Sequence, residues 1–214
     1  MLEFLIAGGP FMILLVLTSL VSVTFIVERG WALQRHRVVP PAVELALEEC
    51  QGESELRNLE RTCQQQPSAL ARLALTAIKH LPWPKADNAD SLQTLARHEV
   101  VQLERGLVVL EVVVGISPLL GLVGTLHGLI TLFSDLGRTG LSENTVVAKG
   151  IAIALNTTLM GLLIAIPSLI AWSYFTKKVE SLAVEMETLL DEFLRRQYRR
   201  RVTKDEPAAL ASAK

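Results

Sequence analysis

The chain has 214 residues, half of them hydrophobic, and a mean hydropathy of +0.37, which is high for a soluble domain of this length. Its net charge of −1 excludes an overall basic field for nucleic acid, and an aromatic content of 5% disfavours a base-stacking surface or an aromatic ligand box. Cys50 and Cys63 form no Cys-x-x-Cys pair and have no histidine at zinc spacing, so they read as two free thiols in a reducing compartment.

In chain order, the first element is a membrane span. Phe11 to Val27 is apolar except for Thr18, Ser19, Ser22 and Thr24, close to the length a bilayer requires. Met1 to Pro10 carries Glu3 and no Lys or Arg, and the apolar run ends at Glu28-Arg29 rather than at a small-residue cleavage site. Residues 1–28 therefore read as an uncleaved anchor rather than a signal peptide. A polar segment, 29–90, follows and reads as short helices separated by breakers. Pro40-Pro41 opens one, Gly52 interrupts, Pro67 starts another, and Leu81-Pro82-Trp83-Pro84 ends it. Asp90-Ser91-Leu92-Gln93 resembles a capping box. Since no proline intervenes before Pro118, the pattern predicts one helix over 91–134 that contains the second span, Val112 to Phe133. A short connection, 135–145, leads to the third span, Ile151 to Phe175. The spans hold no Asp, Glu, Lys or Arg.

The third helix continues beyond the membrane through about residue 201. Val179, Leu182, Met186, Leu189 and Phe193 recur at steps of three and four, a packing seam. The basic run Arg195-Arg196-Gln197-Tyr198-Arg199-Arg200-Arg201 reads either as a solvated helix end or as a surface for anionic lipid or RNA. Residues 202–214 read as a disordered tail. The expected class is an all-α membrane protein with three transmembrane helices, two of them extended far into the cytoplasm, plus a small helical cytoplasmic segment. Arg and Lys beside the spans place the N-terminus and the 135–145 loop outside and the long segment and C-terminus in the cytoplasm.

Catalytic signatures are missing: there is no Gly-x-Ser-x-Gly, no phosphate-cradling glycine loop and no His-Glu-x-x-His. The informative residues are small and polar ones inside the spans. At 100° per residue, Gly121, Thr125, Gly128 and Leu132 share one face of the second span, with Gly124 at its edge. Gly150, Ala154, Thr158, Gly161, Ala165 and Ser168 form a stripe on the third, with Thr157 beside it. Such stripes either let helix backbones approach closely or line a polar path. Pro118 and Pro167 read as kinks or as hinges. His127 is a titratable group inside a span and thus a candidate for proton handling, or else a structural hydrogen-bonding group away from the Thr125 face. Asn156, off its helix's stripe, reads as an interhelical hydrogen-bonding group. Glu111, about 20 Å from Thr125 along the helix, reads as an interfacial charge or the flank of a cytoplasmic ion exit.

These residues resemble a known family. Gly8-Gly9-Pro10 with Glu28-Arg29, Leu103-Glu104-Arg105-Gly106-Leu107, Ser117-Pro118-Leu119-Leu120-Gly121-Leu122-Val123-Gly124-Thr125, and the third-span pattern from Gly150-Ile151-Ala152 to Ala165-Ile166-Pro167 are similar to the TolQ/ExbB branch of the TolQ–ExbB–MotA proton-channel family. The resemblance implies a bacterial inner-membrane homopentamer around the membrane helices of an ExbD- or TolR-like partner bearing a membrane aspartate. A TonB- or TolA-like transducer would lie downstream, protons would be the coupling ion, and no cofactor would be bound. It also implies that Thr125 and Thr158 are pore threonines. One departure is Ile153, where TolQ and ExbB commonly carry glutamate. A passive scaffold, with the stripes serving only to pack helices, is the competing reading.

Overall fold

The computed structural model of the protein describes residues 9–139 and 144–212, except for the side chains of residues 9, 138, 139, 144–146, 149 and 201–212. In chain order the helices are α1 (Gly9–Ala32), α2 (Arg35–Val38), α3 (Pro41–Glu49), α4 (Glu53–Gln65), α5 (Ala69–Lys79), α6 (Lys85–Glu104), α7 (Leu107–Thr139) and α8 (Asn144–Ser212). No strand occurs among the described residues. Three helices are long and apolar enough to cross a membrane, over Pro10–Ala32, Leu107–Gly137 and within Gly150–Arg200. The protein is an all-α, multi-pass membrane protein.

Several boundaries differ from the expectation. The helix over 91–134 is interrupted at Arg105 and Gly106, which leaves two helices. The first of these begins at Lys85, with Pro84 as its N-cap, so Asp90-Ser91-Leu92-Gln93 lies inside a helix rather than capping one. Pro84, with no amide hydrogen and an extended backbone, cannot continue the preceding helix, and α6 starts directly after it without a side-chain cap. The expected loop 135–145 shortens, because α7 runs to Thr139 and α8 starts at Asn144; residues 140–143 lie outside the described ones. Helix α8 is drawn as far as Ser212; residues 213 and 214 lie outside the described ones.

The chain divides into two compact units. The membrane unit comprises α1 up to Trp31, α7 with Gly106, and α8 up to Thr176. Leu15, Val113 and Ile164, one from each helix, form its buried apolar centre, with Leu120 and Met160 packed against them. Its outer faces are apolar as well: Leu20, Ile130 and Ile170 are each at least 65% exposed. That pattern is costly in water and suits lipid.

The second unit contains α2 to α6 and the remainder of α8. Its core joins Val43, Leu47, Leu59, Leu70, Leu73 and Leu92 to Leu182, Met186, Leu190 and Phe193. The α8 seam read from the sequence thus packs inward, with Leu189 half-buried at its edge. Specific polar ties fix the register. Ser68 caps α5 by accepting from the Ala71 amide at 3.1 Å. Arg72 on α5 grips the buried Glu99 of α6, Nε to Oε1 at 2.7 Å. Arg35 bridges Glu44, at 2.9 Å, and Glu185. Tyr198 donates to the Trp83 carbonyl at 2.8 Å. Cys50 and Cys63 are free thiols buried in this core. Burial pushes the Cys63 thiol up to about 11 and raises that of Cys50 as well.

Candidate functional site

The small residues of α7 and α8 meet face to face. A Cβ on Gly161 would stand 2.6 Å from the Ser117 carbonyl oxygen and 3.2 Å from the Gly121 Cα. One on Gly121 would lie 2.9 Å from the Thr157 carbonyl oxygen and 3.0 Å from the Thr158 Cα. Along the same seam, Gly124 faces Thr157 and Gly128 faces Ala154, both with 3.0–3.1 Å to a would-be Cβ. These distances require glycine, because the obstacles at Gly121 and Gly161 are backbone atoms. The stripes therefore do serve close packing.

That proximity brings three hydroxyls and two carbonyls together. Thr125 Oγ1 lies 3.1 Å from the Gly121 carbonyl and 3.1 Å from the Ala154 carbonyl. It contacts Thr158 Oγ1 and lies 3.4 Å from Thr157 Oγ1. Thr157 Oγ1 reaches the Ala154 carbonyl at 2.7 Å and the Gly121 carbonyl at 3.3 Å. Thr158 Oγ1 reaches the Gly121 carbonyl at 3.1 Å. Each threonine has one proton to give, so these contacts cannot all be hydrogen bonds at once, and the cluster can exchange donors. Thr125 and Thr157 are buried and Thr158 is half-buried. The cluster thus reaches the flank of the α7–α8 seam through Thr158.

The remaining candidates lie apart from this cluster. His127 is exposed, its ring centroid 5.5 Å from that of Phe11 at a 59° tilt. It makes a ring contact there, and no side-chain hydrogen bond of His127 is found among the described residues. The same holds for Asn156, which is half-buried. Glu111 is exposed one turn into α7. Ile153 is half-buried. Pro118 and Pro167 sit inside continuous helices. Beside them, Ser117 donates to the Val113 carbonyl and Ser168 to the Ile164 carbonyl, both at 2.7 Å.

Two contacts were not expected from the sequence. Ser22 of α1 and Ser168 of α8 share a buried hydrogen bond of 2.6 Å. Arg29 of α1 lies against Gly106, where a Cβ would meet its Nε, and its Cζ and Cδ at 2.7 and 2.8 Å. The only signal for the first was the serine placed beside a proline in α8. For the second it was the pairing of Glu28-Arg29 with Glu104-Arg105-Gly106.

An apolar exterior around a buried seam of hydroxyls defines a membrane-embedded helical subunit. Residues 64–188, more than half the chain, match the model of the MotA/TolQ/ExbB proton channel family. The chain belongs to this family, in its TolQ/ExbB branch, and is a proton-channel-type energy-transduction subunit. It is 32% identical to the putative biopolymer transport protein ExbB-like 1 of Synechocystis sp., over 80% of this chain and 69% of that one. It is 30% identical to ExbB-like 3 of the same organism, over 87% and 88%. It is 35% identical to the Tol-Pal system protein TolQ of Pseudomonas aeruginosa, over 55% and 51%, so that match spans about half the length of TolQ.

Proposed function

We propose that the chain forms an inner-membrane homopentameric ring that couples proton flow to motion of an ExbD- or TolR-like partner, with Thr125, Thr157 and Thr158 as its polar wall. The supporting observation is the hydroxyl cluster on the α7–α8 seam, in spans that hold no Asp or Glu. A proton needs a group to bind on its way, and a carboxylate alone in an apolar medium is costly when ionised. On this reading the partner's membrane aspartate carries the proton. Hydroxyls facing it ease the ionised state, and protonation frees it to move. One charge crossing the membrane gains about 2.3 kcal/mol per 100 mV, enough to drive such motion. Ile153, in the place where relatives commonly carry glutamate, leaves the partner as the source of the acid. The N-terminus faces the periplasm, the C-terminus is cytoplasmic, and Glu111 flanks the cytoplasmic exit.

The test is reconstitution in liposomes. The chain alone leaks no protons; adding the partner permits flux; replacing the partner's membrane aspartate with asparagine abolishes it. Strong flux from the chain alone, lost in His127→Ala, refutes this reading and makes His127 the carrier. The passive-scaffold reading is favoured by the glycine approach at Gly121 and Gly161 and predicts no partner-dependent flux.

A further inference from the structure

Gly106 lies between α6 and α7, where a glycine by itself weakens a helix. Its φ is not in the left-handed region, so no turn geometry demands glycine there. What a Cβ would meet there is a side chain. The Arg29 side chain occupies the volume a Cβ would need, with its Cζ and Cδ at 2.7 and 2.8 Å. Arg29 is held in that place. It lies in the last turn of α1, where a cation is favoured by the helix dipole. Its Nε donates to Glu28 Oε2 at 3.1 Å, and its side chain is only 14% exposed. Immediately after Gly106, Leu107 and Leu110 are buried, so α7 is anchored from its first turn.

We propose that Arg29 and Gly106 form a wedge and notch that set where α7 begins, making Arg29 a positioning residue for the threonine cluster; this rests on the reading of Thr125, Thr157 and Thr158 as the ion path. A helix is stiff along its axis at 1.5 Å per residue, so its starting point fixes Thr125 about 27 Å further on. It also fixes Glu111, one turn in. A glycine that served only as a helix breaker would not need a partner on another helix. Here the missing side chain of residue 106 and the bulk of residue 29 are two halves of one fit.

The experiment is a double-substitution cycle on the full chain, reconstituted with its partner. Proton flux and backbone amide exchange over residues 107–110 are the two readouts. Arg29→Ala and Gly106→Ala are each expected to raise or lower amide exchange over 107–110 and to cut flux by roughly tenfold to a hundredfold, the scale of loss that a misplacement of about 1 Å can cause. The double variant is expected to be no worse than the poorer single variant, because both substitutions break the same fit. Arg29→Lys, which keeps the aliphatic stem and the charge, is expected to retain most of the flux. Should Gly106→Ala fail to reach the membrane, Arg29→Ala and its comparison with Arg29→Lys carry the test. Losses that multiply in the double variant overturn the proposal, as does Arg29→Ala with unchanged exchange over 107–110. Intact flux in Arg29→Ala overturns the positioning role while leaving the threonine path standing. If the unaltered chain with its partner shows no flux, the path reading fails, and the exchange cycle alone decides the wedge and notch.

Discussion

Replacing Gly161 with alanine is the sharpest probe of the seam. The new Cβ would stand 2.6 Å from the Ser117 carbonyl oxygen, against a comfortable carbon–oxygen contact of about 3.3 Å. The obstacle is backbone inside a helix and cannot rotate away, so α7 and α8 must part by roughly 0.7 Å, the difference between that contact and the one a Cβ would make. Overpacking of this kind costs about 1–3 kcal/mol, offset by roughly 0.5–1 kcal/mol from alanine's better helix propensity. The net lies between about 0 and 2.5 kcal/mol and centres near 1 kcal/mol, roughly a fivefold shift in the folded-to-unfolded ratio. The hydroxyl cluster suffers more, because Thr157 Oγ1 is already 3.3 Å from the Gly121 carbonyl and would leave hydrogen-bond range. Thermal unfolding in detergent, followed by circular dichroism, reads the first effect, and partner-dependent proton flux reads the second. Gly121→Ala should behave alike, since a Cβ there meets Thr157 and Thr158 backbone at 2.9 and 3.0 Å. Gly115→Ala, with nothing within 4 Å of its Cβ, should be neutral or slightly stabilising. A Gly161→Ala protein that melts at or above the native temperature would refute the close approach.

Thr125→Val and Thr158→Val should assemble normally, since a hydroxyl bond in a membrane bundle averages only about 0.6 kcal/mol, yet lose most partner-dependent flux; normal flux in both would leave the seam as packing alone. Arg72→Ala strands Glu99, 2% exposed, and should cost about 2–3 kcal/mol, measured as a lower melting temperature. The Cys63 thiol, pushed up to about 11 from 9.0 by burial, favours its neutral form in the fold. The stability it contributes is complete below pH 9 and lost as pH rises towards 11; a pH series of melting temperatures should show this alkaline step, and Cys63→Ala should show a smaller one, because the Cys50 thiol is raised as well. For orientation, a membrane-impermeant thiol reagent on intact cells should label Ser142→Cys and spare Gln51→Cys. Gln51 is the better cytoplasmic reporter because it is exposed, whereas both native cysteines are buried.

The spans were legible because long uncharged apolar runs have few other uses. Pro41 opening α3 and Gly52 capping α4 were equally readable, since each acts through its own backbone. The break at Arg105 and Gly106 was not legible. Gly106 is its one local sign, and a single glycine inside a helical pattern is weak evidence of a break; the Arg29 side chain beside it arrives from another helix. Face assignment at 100° per residue brought Thr125 and Gly121 to the seam but ranked Thr158 at the stripe centre and Thr157 beside it. In the structure Thr157 is 1% exposed and Thr158 half-buried, a rotation of the contact line that depends on how α7 and α8 cross. The burial of Cys50 and Cys63 was hidden for a related reason. They lie in polar stretches, and α4 buries only a narrow face, Leu59 and Cys63.

The three threonine hydroxyls have one further consequence. In the Thr125–Thr158 and Thr125–Thr157 contacts either oxygen can be the donor, and the Gly121 and Ala154 carbonyls accept from more than one of them. The set can therefore be re-polarised by rotating O–H bonds alone, without moving a heavy atom. Its hydrogen-bond pattern has no fixed sense, so the same three hydroxyls can turn a donor or a lone pair towards a polar group without any change in the packing of the two helices.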